Sequence, residues 1–139
     1  MQDSAALSPE EKIGQLQKEL GWSYDQARRS VEADFTCEYC DCDLLHNERN
    51  YDAWQVDYIV PLGRGGTHDF ENMALCCKTC IFFKREHAPD GSTRKERVAD
   101  VREYLKARWS RKRAELEKVR AIVGRPLRGS ANTTDKSCP

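Results

Sequence analysis

The chain has 139 residues, with 23 Lys/Arg against 23 Asp/Glu, seven cysteines and a mean hydropathy of −0.80. That length suits one small domain with appendages, and no apolar run is long enough to cross a bilayer or to serve as a signal-peptide core, so no membrane role is expected. An odd cysteine count that includes two Cys-x-x-Cys pairs argues against a secreted disulfide framework and predicts a reducing, cytoplasmic setting.

Residues 1–7 read as a disordered end. Ser8-Pro9-Glu10-Glu11 is a helix start: serine caps, proline fits the first turn, and the acids meet the positive end of the dipole. Ile13, Leu16 and Leu20 recur at helical spacing until Gly21 stops the run. Ser23 caps a second short helix with Tyr24, Ala27 and Val31 on one face. Residues 8–34 thus form a helical arm, either a partner-binding device or a packing lid, and the lid is the expectation. Cys37-Glu38-Tyr39-Cys40 reads as a knuckle turn, and 41–52 as a polar loop. Trp54 to Val60 is rich in aromatic and β-branched residues and predicts a strand that Pro61 ends. Gly63 to Gly66 is a loop, 73–75 a short returning strand, and Cys77 to about Glu86 a second knuckle entering a helix. One long helix is predicted from Ser92 to Val123, with Val98, Val101, Leu105, Trp109, Leu116, Val119 and Val123 as its stripe. Core packing is the expected role of Trp22 and Trp109, with partner anchoring the alternative for either if exposed. The domain scheme is therefore a disordered end (1–7), a helical arm (8–34), a zinc-binding core (35–91), a basic helix (92–124) and a disordered tail (125–139) in which Cys138 has no role.

Zero net charge hides an asymmetry. Residues 1–57 hold 13 Asp/Glu and 5 Lys/Arg, an excess of 8 negative charges, whereas residues 92–128 hold 13 Lys/Arg and 5 Asp/Glu, an excess of 8 positive charges. The basic end can follow a phosphate backbone or pair with the acidic end, in the same chain or in a second copy.

Cys37, Cys40, Cys77 and Cys80 present four sulfurs from two tight bends, the donor set of a closed, structural Zn²⁺ site that pins the ends of segment 41–76. Cys42 and Cys76 are near enough in sequence to compete as ligands; otherwise they are small core side chains.

Cys-x-x-Cys, then Val56-Asp57-Tyr58-Ile59-Val60-Pro61-Leu62, Gly65-Gly66-Thr67 and Asn72, then Cys-x-x-Cys with Lys84 resembles the zinc-knuckle branch of the HNH endonucleases over about residues 37–86. The resemblance implies a small α+β fold of the ββα-metal type: a hairpin and helix stapled by zinc, here with N-terminal helices and a long basic C-terminal helix. It also implies metal-dependent cleavage of DNA with Mg²⁺, Mn²⁺ or a similar ion. On this reading Asp57 is the divalent-ion ligand, Asn72 orients the catalytic loop, Lys84 reaches phosphate, and the four paired cysteines hold zinc. Two positions depart from the pattern. Tyr58 stands where the family has its general-base histidine, and Ile81 where it has its last metal-binding His/Asn. A phenol with a pKa of about 10 is a poor base at neutral pH, and an aliphatic side chain has no lone pair for a cation. Tyr58 and Ile81 are expected to face one cavity and fill it as a dry plug.

The first expectation is therefore a zinc-binding, HNH-like protein that binds nucleic acid, DNA in the first place, and cuts little or not at all. The alternatives are an active endonuclease using Tyr58 or His68, and a protein-interaction or self-association module. Arg64, Lys84, Arg85, Arg102 and Lys106 are the expected nucleic-acid contacts. His46 and His87 read as surface residues.

Overall fold

A computed structural model describes residues 6–125 and 138–139. Two helices open the chain: α1 (Pro9–Leu20) and α2 (Tyr24–Glu32). Both start in capping boxes. Ser8 Oγ accepts from Glu11 N at 3.1 Å while Glu11 Oε1 accepts from Ser8 N at 2.8 Å, and Ser23 and Gln26 repeat the exchange. These reciprocal bonds satisfy amides that the first turn leaves unpaired. Gly21, at φ 71°, ends α1 in a left-handed cap.

The arm lies against the domain. Trp22 stacks on Trp54 with ring centroids 4.9 Å apart, and Trp54 Nε1 donates to Ser30 Oγ at 3.0 Å. Arg28 and Arg29 sit over the Phe70 ring at 3.9 and 4.7 Å. Trp22 is therefore a packing residue. The stretch 41–52, expected to be loop, contains one short helix, α3 (Glu48–Asp52), capped by the Asn47 side chain. This helix has a local cause: Asn47 Oδ1 accepts from Asn50 N at 2.8 Å and Asn50 Nδ2 donates to Asp43 O at 2.7 Å, so polar side chains hold a turn that has no apolar periodicity.

Strands β1 (Trp54–Tyr58) and β2 (Met73–Cys77) pair antiparallel, with Trp54 opposite Cys77 and Tyr58 opposite Met73. Helix α4 (Lys78–Lys84) follows β2 directly, completing a ββα arrangement, and α5 (Arg94–Val123) runs for 30 residues. Leu44, Ile59, Leu75, Val101 and Leu105, each at most 2 % exposed, join the buried cysteines in one core. Each such aliphatic side chain contributes about 1.5–3 kcal/mol by leaving water. Only the first half of α5 shares that core. Val101 and Leu105 are buried, whereas Leu116, Val119 and Val123 are 44, 48 and 57 % exposed. No helix among the described residues is long and apolar enough to cross a membrane.

The two ends of the chain fare differently. The expected disorder of 1–7 falls largely on residues outside the described ones, as does that of 126–137. Cys138 does have a partner: it forms a disulfide with Cys42. Thr79 Oγ1 donates to Pro139 O at 2.9 Å and Cys138 N to Asn50 Oδ1 at 3.4 Å, so the last two residues lie against the knuckle.

Candidate functional site

The two Cys-x-x-Cys turns come together because the first is tied to β2, Glu38 N donating to Leu75 O at 2.8 Å, two residues before Cys77. Cys37 Sγ lies 3.9 Å from Cys80 Sγ, and Cys40 Sγ lies 3.9 Å from Cys77 Sγ. Four sulfurs about 2.3 Å from a tetrahedral zinc would sit about 3.8 Å apart, a spacing that these two pairs match. Cys37, Cys77 and Cys80 are fully buried. Neighbouring thiols donating to Cys37 and Cys77 hold these two below the usual cysteine range, while the same sulfurs push Cys40 and Cys80 above it. Sulfurs this close oppose one another's ionisation, a conflict that a thiophilic divalent ion resolves. The sulfurs of Cys37, Cys40, Cys42 and Cys77 also lie within 4.8 Å of one another. Cys42 thus joins the cluster by position, but as a disulfide sulfur it carries no thiolate charge. Cys76 is fully buried on β2; burial, with the Asp57 carboxylate adding to it, pushes its thiol well up, so it is a core side chain.

Behind the cluster, Asp57 is already engaged. Tyr39 Oη donates to Asp57 Oδ2 at 2.7 Å, and Lys84 Nζ stands 3.1 Å from the same oxygen and donates to Tyr58 O at 3.1 Å. Lys84 is 1 % exposed. Burial, with Asp57 reinforcing it, pushes the Tyr39 phenol well above its usual range, so Tyr39 stays a donor. Tyr58 and Ile81, expected to meet as a plug, each have other contacts. Ile81 packs against the core, and the Tyr58 ring turns to His68, edge-on with centroids 5.3 Å apart. The group facing Asp57 is the Lys84 ammonium, one helical turn past Ile81. Lys84, expected at a phosphate, is committed to an internal ion pair.

Asn72 ties the intervening loop to the chain just past β1. Its Oδ1 accepts from Val60 N at 2.9 Å, and its Nδ2 donates to Val60 O at 3.0 Å and to Thr67 O at 2.8 Å. The loop folds so closely over Val60 that a Cβ on Gly66 would lie 1.8 Å from the Val60 carbonyl oxygen. His68, at the loop's outer side, is exposed.

Comparison with known proteins agrees with this geometry. Residues 37–80 match the HNH endonuclease family. No curated protein and no solved structure matches the chain.

Around this HNH segment a hub that the sequence does not announce is Glu38, inside the first knuckle. Its Oε2 accepts from Leu75 N at 2.7 Å and lies 3.4 Å from Arg29 Nε; its Oε1 accepts from Arg94 at 2.9 Å. Burial pulls the Arg29 guanidinium below its usual range and Glu38 opposes this. One side chain thereby joins α2, β2 and α5 to the knuckle. Arg102 does similar work, donating to Glu38 O at 2.8 Å and gripping both Asp41 oxygens at 3.1 and 2.6 Å. A spacer glutamate in a Cys-x-x-Cys turn looks like a solvated turn residue, and only the distant partners reveal otherwise.

The remaining basic residues divide. Arg64 and Arg85 flank a cleft of about 410 Å³ that also exposes His87, whose Nε2 lies 2.6 Å from Asp100 and whose ring stacks on Tyr104. Lys106 lines a groove of about 610 Å³ between α5 and the knuckle, beside Trp109, Lys112 and Arg113. Trp109 packs edge-on against Phe83. Among the described residues no ion pair engages Arg64, Arg85 or Lys106, whereas Arg102 is spent on Asp41.

Proposed function

We propose that this protein is an HNH-like zinc-binding protein that binds nucleic acid, DNA in the first place, with little or no nuclease activity. The observation that carries the reading is the Asp57 carboxylate, held by the Tyr39 hydroxyl at 2.7 Å and the buried Lys84 ammonium at 3.1 Å. A divalent ion at Asp57 would have to displace an ammonium whose alternative is a desolvated, unpaired charge. Ile81 offers no lone pair in compensation, and Tyr58 offers a phenol where an imidazole would take a proton. Zinc, bound by Cys37, Cys40, Cys77 and Cys80, supplies structural cross-linking only. Arg64, Arg85 and Lys106, in no ion pair among the described residues, supply the electrostatic attraction to a phosphate backbone.

Purified protein is expected to retard duplex DNA at low salt and to leave supercoiled plasmid intact with Mg²⁺ or Mn²⁺. Robust metal-dependent cutting that disappears in Asp57→Ala would overturn this reading. It would favour a nuclease working through the Tyr58–His68 ring pair, whose signature is loss of cutting in Tyr58→Phe or His68→Ala.

A further inference from the structure

Five cysteine sulfurs converge where a tetrahedral ion takes four. Cys37, Cys40 and Cys77 belong to both possible quartets. Cys80 completes one of them, with its sulfur 3.9 Å from Cys37. Cys42 completes the other, with its sulfur within 4.8 Å of the shared three. Cys42 is 4 % exposed and bonded to Cys138, whose backbone N–H reaches Asn50 and whose neighbour Pro139 receives the Thr79 hydroxyl.

We infer that Cys42 is a redox-controlled spare metal ligand. Bonded to Cys138 it is withheld from the ion, and the quartet is Cys37, Cys40, Cys77 and Cys80. Reduced, it competes with Cys80 for the fourth position. The inference rests on the zinc reading above. The exchange needs a low-molecular-weight disulfide as oxidant. The Cys42 thiolate attacks one of its sulfurs and releases one thiolate; the Cys138 thiolate then attacks Cys42 in the mixed disulfide and releases the second. Two protein thiols lose two electrons and two protons, and one small disulfide becomes two thiols. Only thiolates ligate thiophilic cations well, so the bonded sulfur is silent toward metal while the reduced one is not.

The test uses the full chain loaded with Co²⁺ alone, whose sulfur-to-metal charge-transfer band counts thiolates. In Cys80→Ser the reduced protein is expected to keep the four-thiolate band. After oxidation with a small disulfide the band should fall by about one quarter, three thiolates replacing four. Cys80→Ser/Cys138→Ser, unable to take the second step, should keep four thiolates when reduced and on oxidation stop at the mixed disulfide, gaining the mass of one small thiol that Cys80→Ser does not retain. A Cys80→Ser band that is the same before and after oxidation overturns the inference. If Cys80→Ser does not fold, alkylation of metal-loaded wild type decides. Partial labelling at both Cys42 and Cys80 in the reduced protein supports competition, and complete labelling of Cys42 with full protection of Cys80 overturns it. A wild-type chain with no thiolate band in either redox state removes the zinc reading itself, a distinct result that takes this inference with it.

Discussion

Lys84 lies three residues after Ile81 on the same side of α4, so the helix that lacks a metal-ligating side chain at one position provides an ammonium at the next turn. The pair it makes with Asp57 is enclosed on the lysine side, where the side chain is 1 % exposed, and nearly so on the aspartate side, at 16 %. Breaking such a pair leaves an uncompensated charge. Lys84→Met is therefore expected to cost about 3 kcal/mol, toward the lower end of the range for buried pairs because Asp57 keeps some solvent. Asp57→Leu/Lys84→Met should recover only part of that loss, since no charge is stranded but the buried Tyr39 hydroxyl and the Tyr58 carbonyl lose their partners. Urea midpoints of the three proteins check both statements. Gly66 gives a second test at this scale. Any side chain there meets the Val60 carbonyl oxygen, so Gly66→Ala is expected to destabilise by about 2 kcal/mol or more, read from the same denaturation curves. At this scale the paired cysteines were legible in the sequence because spacing alone makes a ligand set. The partner of Asp57 was not: a lysine at the end of a motif reads as a phosphate contact until its burial is known. Glu38 was hidden for a related reason, since its partners Arg29, Leu75 and Arg94 come from separate elements.

The elements whose signals are local were the readable ones. The caps of α1, α2 and α5 at Ser8, Ser23 and Thr93 are each a hydroxyl followed three residues later by Glu or Gln, and each closes a capping box. Hairpin β1–β2 was readable from its β-branched and aromatic run, although β1 stops at Tyr58 and β2 extends to Cys77. The limit of local reading shows in α5. Its apolar stripe continues from Val98 to Val123 in sequence, but the domain is too small to cover the far half. Leu105→Ala is therefore expected to cost about 3 kcal/mol, within the range for emptying a core position. Leu116→Ala should stay within about 0.5 kcal/mol, as for a surface site. Thermal melts of the two variants discriminate packed from projecting helix, and equal losses would mean that the far half is covered in solution.

Across the whole molecule the split of charge along the chain becomes a set of internal contacts and a remainder. Glu38 with Arg94 and Asp41 with Arg102 carry acidic residues of the first half onto the basic helix, so part of the predicted polyanion attraction is spent inside the chain. The remainder includes Arg64 and Arg85 at the cleft beside the HNH segment and Lys106 on the exposed side of α5. These two classes of cation should behave differently toward DNA. Each phosphate neutralised releases condensed counterions, so the logarithm of affinity falls linearly with the logarithm of salt concentration, by about 0.9 per contact for duplex. Lys106→Ala is expected to weaken binding uniformly across sequences and to lower the slope by about 1. Arg102→Ala should leave the slope unchanged and lower the melting temperature instead, because its guanidinium already holds Asp41 and the knuckle carbonyl of Glu38. Binding isotherms at four or five salt concentrations with each variant separate the two. A slope that drops for Arg102→Ala but not for Lys106→Ala would mean that the Asp41 bridge opens to meet the nucleic acid and that the groove beside Trp109 does not.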